Sequence, residues 1–230
     1  MADRSPRTAA AALVALALLA GAAHADGDEE AKQAAQAEIA QLAKWGSSAI
    51  RQGLRLTLRA ANGRVVNFDS RAAPGTLQEA QVEDYRLVDV TKDGKFFVVN
   101  ALFYEGGTTY WVSRATGQRS EVYAPPAVSP DGRHAVTALH RESSGPQGVF
   151  VWDIAGDQLA PRAHLQNGDY GLFTFTRWRG NDDAELALYS HSFLKFCTDA
   201  HATTATVHVK RSAQGWSVEP PADALDVHCE

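Results

Sequence analysis

Hydrophobic and polar positions follow two periods along this chain. In residues 28–45, Ala35, Ile39 and Leu42 recur at spacings of four and three, which predicts a helix with one narrow apolar stripe. Asp26, Asp28, Glu29 and Glu30 sit where a helix N-terminus favours carboxylates, Lys44 falls in the last turn, and Gly46 is placed to end it. The stripe is Ala-rich, so the helix is expected to pack weakly, lying across the main body or projecting from it. After Gly53 the period drops to two: Leu54, Leu56 and Leu58 alternate with Arg55, Thr57 and Arg59. Asn62-Gly63 and the run Val65 to Phe68 complete a hairpin over 54–70, and Ala73-Pro74-Gly75 marks a connecting loop.

From Tyr85 onward the strand pattern repeats. Arg86 to Val90, the turn Asp93-Gly94, Phe96 to Val99, the loop Tyr104 to Gly107, Thr109 to Val112, the turn Thr116-Gly117 and Ser120 to Tyr123 form one unit. Ala127-Val128, the turn Pro130-Asp131-Gly132, His134 to Thr137, a loop at 141–145, Val149 to Trp152, the turn Ala155-Gly156-Asp157 and Gln158-Leu159 form a second. The Asp-Gly pairs lie 38 residues apart and the later turn glycines 39 apart. A looser third unit runs from Phe173 through the turn at 180–183, Glu185 to Tyr189, a loop at 191–199, Thr206 to Val209 and Trp216. Each unit offers about four short strands, and one such sheet cannot bury both faces alone, so neighbours stack.

The turn Ser129-Pro130-Asp131-Gly132 has local logic: Pro presets φ, Asp bonds its own backbone and Gly takes positive φ. It resembles the Ser-Pro-Asp-Gly turn of the propeller repeats in the periplasmic TolB family. Val149-Phe150-Val151-Trp152-Asp153 is similar to the strand ending in Trp-Asp of WD40 blades. Tyr104 to Gly106, Thr116-Gly117 and Ser129 to Gly132 together resemble a wider set of exported bacterial proteins. The resemblance spans about residues 85–190, specifies turns, and carries no catalytic residue across. It implies an all-β fold: an incomplete or small β-propeller-like stack of antiparallel four-stranded sheets with one N-terminal α-helix. A β-sandwich is the alternative. A closed propeller needs about four blades, and three units plus the hairpin at 54–70 supply three and a half.

The N-terminus changes the setting. Arg4 and Arg7 precede an uncharged run of Ala, Leu and Val from Thr8 to Ala20, and Ala23-His24-Ala25 fits the small-x-small site of signal peptidase. The expected organisation is a signal peptide at 1–25 cleaved after Ala25, a helical extension at 26–47 and a β domain at 48–230. The destination is the periplasm or the medium, with no membrane span in the mature chain. An exported chain whose two cysteines are Cys197 and Cys229 is expected to join them in a disulfide. With a net charge of −5 and no Lys/Arg-rich block, nucleic-acid binding is excluded as a function class.

Candidate chemistry is sparse. No Gly-x-Ser-x-Gly elbow, Walker loop, Gly-x-Gly-x-x-Gly fingerprint or His-Glu-x-x-His motif occurs. No catalytic residue, cofactor or metal is expected. His191, His201, His208 and His228 gather near the cysteines at spacings that match no zinc pattern. His134 and His208 read as hydrogen-bonded sheet histidines, and Asp93, Asp131, Asp157, Asp182 and Asp183 as turn residues. Glu105 and Glu142 occupy equivalent loops in successive units, where paired carboxylates would suit a hydrolase. The loops at 104–107, 141–147 and 191–199 join corresponding strands, so stacking brings them to one rim. Tyr104, Glu105, His140, Arg141, Glu142, His191 and Lys195 are the candidate binding residues there. The expected function is non-catalytic binding of an envelope protein. The alternatives are a periplasmic hydrolase of glycan or peptide, and an inhibitor or immunity-type protein against an envelope-acting enzyme.

Overall fold

A computed structural model of the chain describes residues 32–71, 83–103, 106–139, 146–165, 172–189, 204–219 and 227–228. The signal-peptide segment, Cys197, Cys229 and the rim residues Tyr104, Glu105, His140, Arg141, Glu142, His191 and Lys195 lie outside the described residues. Helix α1 (32–45) comes first. No helix among the described residues is long and apolar enough to cross a membrane.

Four antiparallel sheets follow in chain order. The first holds β1 (Ala49–Gln52), β2 (Arg55–Arg59) and β3 (Val65–Asp69). The second holds β4 (Glu83–Val90), β5 (Phe96–Phe103), β6 (Gly106–Ser113) and β7 (Arg119–Glu121). The third holds β8 (Ala127–Val128), β9 (His134–Leu139), β10 (Gly148–Ala155) and β11 (Gln158–Leu165). The fourth holds β12 (Leu172–Trp178), β13 (Asp183–Tyr189), β14 (Thr204–Ser212) and β15 (Gly215–Glu219), with β16 (Val227–His228) paired to β14. The strands of the three units fall in three antiparallel sheets, the last of them with β16 added. The predicted hairpin gains a strand, β1, that pattern reading assigned to no element, and Tyr123 leaves the strand it was expected to end.

Three apolar layers lie between consecutive sheets. Leu56, Leu58 and Phe68 meet Leu87, Phe97 and Val99 between sheets one and two. Phe96, Trp111 and Val122 meet Phe150, Trp152 and Ile154 between sheets two and three. Val136, Val149 and Val151 meet Phe173, Leu186 and Val207 between sheets three and four. The period explains the order. In β5, Phe97 and Val99 face sheet one while Phe96 and Val98 face sheet three. In β10, Val149 and Val151 face sheet four while Phe150 and Trp152 face sheet two. Strands buried on both sides read as unbroken apolar runs, whereas β2 and β13 alternate because one face meets water.

The outward faces of the terminal sheets are closed by polar pairs. On sheet one, Arg55 bonds Asp69 at 2.6 Å and Thr57 bonds Asn67 at 3.0 Å across the strands. On sheet four, Arg177 and Arg179 both reach Glu185, holding its carboxyl below the usual range, with the Arg177 bond the leading cause. Polar outer faces cap a stacked array. Among the described residues no apolar cluster joins sheet one to sheet four, and no sheet closes into a barrel. The architecture is an open stack of four sheets rather than the two of a sandwich.

Helix α1 lies against sheets one and two, but not through the stripe expected. Ala35 is exposed and Ile39 is 64 % exposed, while Glu38 is 6 % exposed. Leu42 and Trp45 join the layer between sheets one and two. Trp45 stands edge-on to Phe97 with centroids 6.3 Å apart, and the Arg114 guanidinium lies 4.3 Å from its ring centre. A carboxylate anchors the docked face because β4 is the edge strand of sheet two, and its Leu87 N–H, on the side away from β5, donates to Glu38 Oε1 at 2.9 Å. Gly46, at φ +51°, ends the helix.

Candidate functional site

The seam between sheets two and three differs from the other two. Its buried layer holds four rings, Phe96, Trp111, Phe150 and Trp152, where one neighbouring layer buries Phe68 and Phe97 and the other Phe173. Two clefts of about 620 and 490 Å3 flank this seam.

The larger cleft lies between β7 and the β10–β11 hairpin. Gln118, Ser120 and Glu121 form one wall. Leu159, Pro161, Arg162, Ala163 and His164 form the other, over a floor of Phe150, Val151 and Trp152. The rings form a continuous series: Tyr123 to Phe150 at 4.4 Å, Phe150 to Trp152 at 5.9 Å, and Phe150 stacked on His164 at 4.1 Å and 13°. Two backbone irregularities set this arrangement. The β10–β11 register shifts at Arg162, a bulge that sends its guanidinium to Asp153. Tyr123 has φ +67°, the one non-glycine positive value among the described residues. The Ala124 N–H donates to the Val122 carbonyl at 2.8 Å, closing a three-residue turn of the strained hand around Tyr123. Ala124 precedes Pro125 and is barred from helical dihedrals, so the reversal falls on Tyr123 and turns its ring onto Phe150.

The smaller cleft lies between the two matched turns. In each, a hydroxyl donates to the turn aspartate: Thr91 to Asp93 and Ser129 to Asp131, both at 2.7 Å. The same hydroxyls accept the N–H of Phe96 at 3.0 Å and of His134 at 2.9 Å. Burial opposes ionisation of Asp131, but bonds from Ser129, the Arg133 guanidinium and the Arg133 N–H outweigh it and hold the carboxyl at about 2. Asp93 is lowered by the same set of opposing causes, with Thr91 and Lys95 as its donors. Trp111 borders this cleft, and its indole N–H is buried without an acceptor among the described residues.

A third polar cluster bridges sheets three and four. His134 is 5 % exposed, and its Nδ1 lies 2.9 Å from Asp153 Oδ1. That is the geometry of an oriented acid–base pair, but Nε2 is occupied, 3.5 Å from Asp182 Oδ1 and 3.4 Å from Arg211 Nη1. His134 ties the seam together and presents no free nitrogen to a substrate. His208 bonds Asp183 at 2.7 Å. Both histidines are the hydrogen-bonded sheet residues expected, while Asp182 and Asp183 serve histidines as well as a turn.

The strand pattern of Val149 to Trp152 places Phe150 and Trp152 on one face but does not show the cleft beside them. The signals were Tyr123-Ala124-Pro125-Pro126 and the small Ser120 on the wall opposite large rings. The expected rim loops do join corresponding strands, β5 to β6, β9 to β10 and β13 to β14. One of them is tied to the cleft: the His164 ring bonds the Gln147 carbonyl at 2.6 Å. No protein-family model matches the chain, and no curated protein is significantly similar to it.

Proposed function

We propose that this is an exported, non-catalytic binding protein that engages another envelope protein through the cleft between sheets two and three. The observation that carries the reading is the Tyr123 turn. A strained backbone, costing about 1–3 kcal/mol, holds a tyrosine ring on Phe150 beside an open cleft. Strain of that kind persists where a fixed surface is worth keeping, and apolar rings among a few polar groups make a site for binding. The polar groups present are a lone carboxylate, an amide, a hydroxyl, a guanidinium and an imidazole, without a nucleophile–base pair among the described residues of the cleft. A partner seated there borders Gln147, the described end of the connection that carries Arg141 and Glu142.

The test is capture from an envelope fraction with three immobilised proteins: wild type, Ser120→Arg, which fills the cleft, and Thr57→Arg on the outer face of sheet one. The proposal expects one discrete protein retained by wild type and Thr57→Arg and lost with Ser120→Arg. Equal capture by all three proteins contradicts it, as does steady turnover of a glycan or peptide substrate by the purified protein.

A further inference from the structure

The larger cleft borders β7, the edge strand of sheet two. The fourth strand of sheet three, β11, runs eight residues from Gln158 to Leu165. Its counterpart β7 runs three, Arg119 to Glu121, beside an eight-residue β6. The wall contributed by β11 therefore extends past an edge where sheet two stops short.

That edge carries hydrogen-bonding groups facing outward. The Ser113 N–H donates to the Gln118 carbonyl at 2.9 Å and the Val122 N–H to Thr109 at 2.8 Å. Pairs alternate in an antiparallel ladder, and Trp111 stands opposite Ser120. Gln118, Ser120 and Val122 thus turn their backbone groups toward β6, and Arg119 and Glu121 turn theirs to the open side.

Charge along the edge is equally specific. Arg119 lies over the Tyr110 ring at 4.6 Å, and Glu121 accepts the Thr108 hydroxyl at 2.8 Å. Both are exposed, and neither forms a salt bridge among the described residues. Ser120, between them, points the other way into the cleft.

We infer, resting on the binding reading above, that the partner enters as an extended peptide segment that adds to β7 as a fifth strand of sheet two. Main-chain bonds to Arg119 and Glu121 supply affinity, and alternate side chains supply specificity. In antiparallel register the segment reads basic–apolar–acidic: a Lys or Arg opposite Glu121, an apolar side chain opposite Ser120 entering the cleft, and an Asp or Glu opposite Arg119. Opposite charges across strands are favoured and like charges disfavoured.

The probe is a displayed library of random linear 12-residue peptides, selected on wild type with counter-selection on Ser120→Arg. Enriched peptides are expected to share the basic–apolar–acidic triplet. Their affinity should fall about tenfold or more on Glu121→Pro, which removes one outward N–H and keeps the main-chain bonds to β6, giving up only the side-chain bond from Thr108. Thermal melting checks that this variant is folded. The double exchange Arg119→Glu with Glu121→Arg, which keeps every outward N–H, should select the reversed order, acidic–apolar–basic. Peptides that bind Glu121→Pro and the double exchange as well as wild type overturn strand addition and leave the cleft as the binding site. Failure to enrich any peptide, with a glycan array giving ligands lost on Ser120→Arg, also overturns it and makes the occupant a saccharide. Peptides that bind Ser120→Arg unchanged overturn the cleft itself.

Discussion

Glu38 grips Arg51 with both carboxylate oxygens, Oε1 to Nη2 at 2.6 Å and Oε2 to Nε at 2.8 Å, so the helix is fixed to the first strand by a partly buried ion pair. The same Oε1 takes the Leu87 N–H, and the Arg51 guanidinium also donates to the Tyr85 carbonyl. One carboxylate thus joins α1 to both sheets. Glu38→Ala leaves Arg51 and the Leu87 N–H without that partner and should cost about 3 kcal/mol. Ile39→Ala, next to it but 64 % exposed, should cost under about 0.5 kcal/mol. Urea denaturation of the two variants checks the contrast. Equal effects would mean that the helix docks by its apolar stripe after all.

At Tyr123 the ring and the backbone make opposite demands. Tyr123→Ala loses the ring and keeps the left-handed φ, whereas Tyr123→Gly loses the ring and relieves the backbone. The Gly variant should therefore be the more stable by about 1 kcal/mol, the penalty an L-residue meets in that region. In ordinary strand the order is reversed. Chemical denaturation of the pair decides.

The turn aspartate makes stability depend on pH in one direction. The Asp131 carboxyl is held at about 2 in the folded chain, below its ordinary value of 3.8. A depressed carboxyl stabilises the fold above the unfolded value and loses that contribution as pH falls through the folded one. The difference in stability between wild type and Asp131→Asn should be constant above pH 5, shrink between about pH 4 and 2, and level off below. Thermal melting across that range measures it. A difference that grows as pH falls would contradict the assignment.

Much of this fold was legible because its turns are chemically explicit. Asp93-Gly94, Asp131-Gly132, Gly117 and Gly156 all take the turn positions assigned to them, each glycine with positive φ. The order of the sheets was also written in the strands, since Phe96 to Val99 and Val149 to Trp152 are unbroken apolar runs where Leu56 and Leu58 alternate with polar neighbours. What failed was reading polar side chains by type alone. Glu38 lies outside the stripe of Ala35, Ile39 and Leu42, and nothing local announces that Arg51 and the Leu87 N–H await it. Tyr123 looked like strand because a tyrosine is a good strand residue, and the bar on Ala124 before Pro125 had to be weighed against that. The cleft is signalled only by Tyr123 to Pro126 and by the small Ser120, which acquire that meaning once the two sheets are side by side.

His134 carries the polar link between sheets three and four, between Asp153 on one side and Asp182 and Arg211 on the other. His134→Leu keeps bulk but strands Asp153 with Arg162 as its remaining partner, and should cost about 2 kcal/mol. The seam of sheets two and three does not contain this link, so peptide binding at the cleft should be unchanged in the folded variant. A loss of binding without a loss of stability would place His134 in the site.

The most direct measurement is site-specific photo-crosslinking in the native envelope, with a benzoylphenylalanine placed at Gln118, on the exposed rim of the cleft, or at Thr57 on the outer face of sheet one. The account predicts one discrete adduct from position 118, whose crosslinked fragment is an extended segment with the basic–apolar–acidic order, and none from position 57. Adducts of equal yield from both positions, or none from position 118 while the protein is folded, would contradict it.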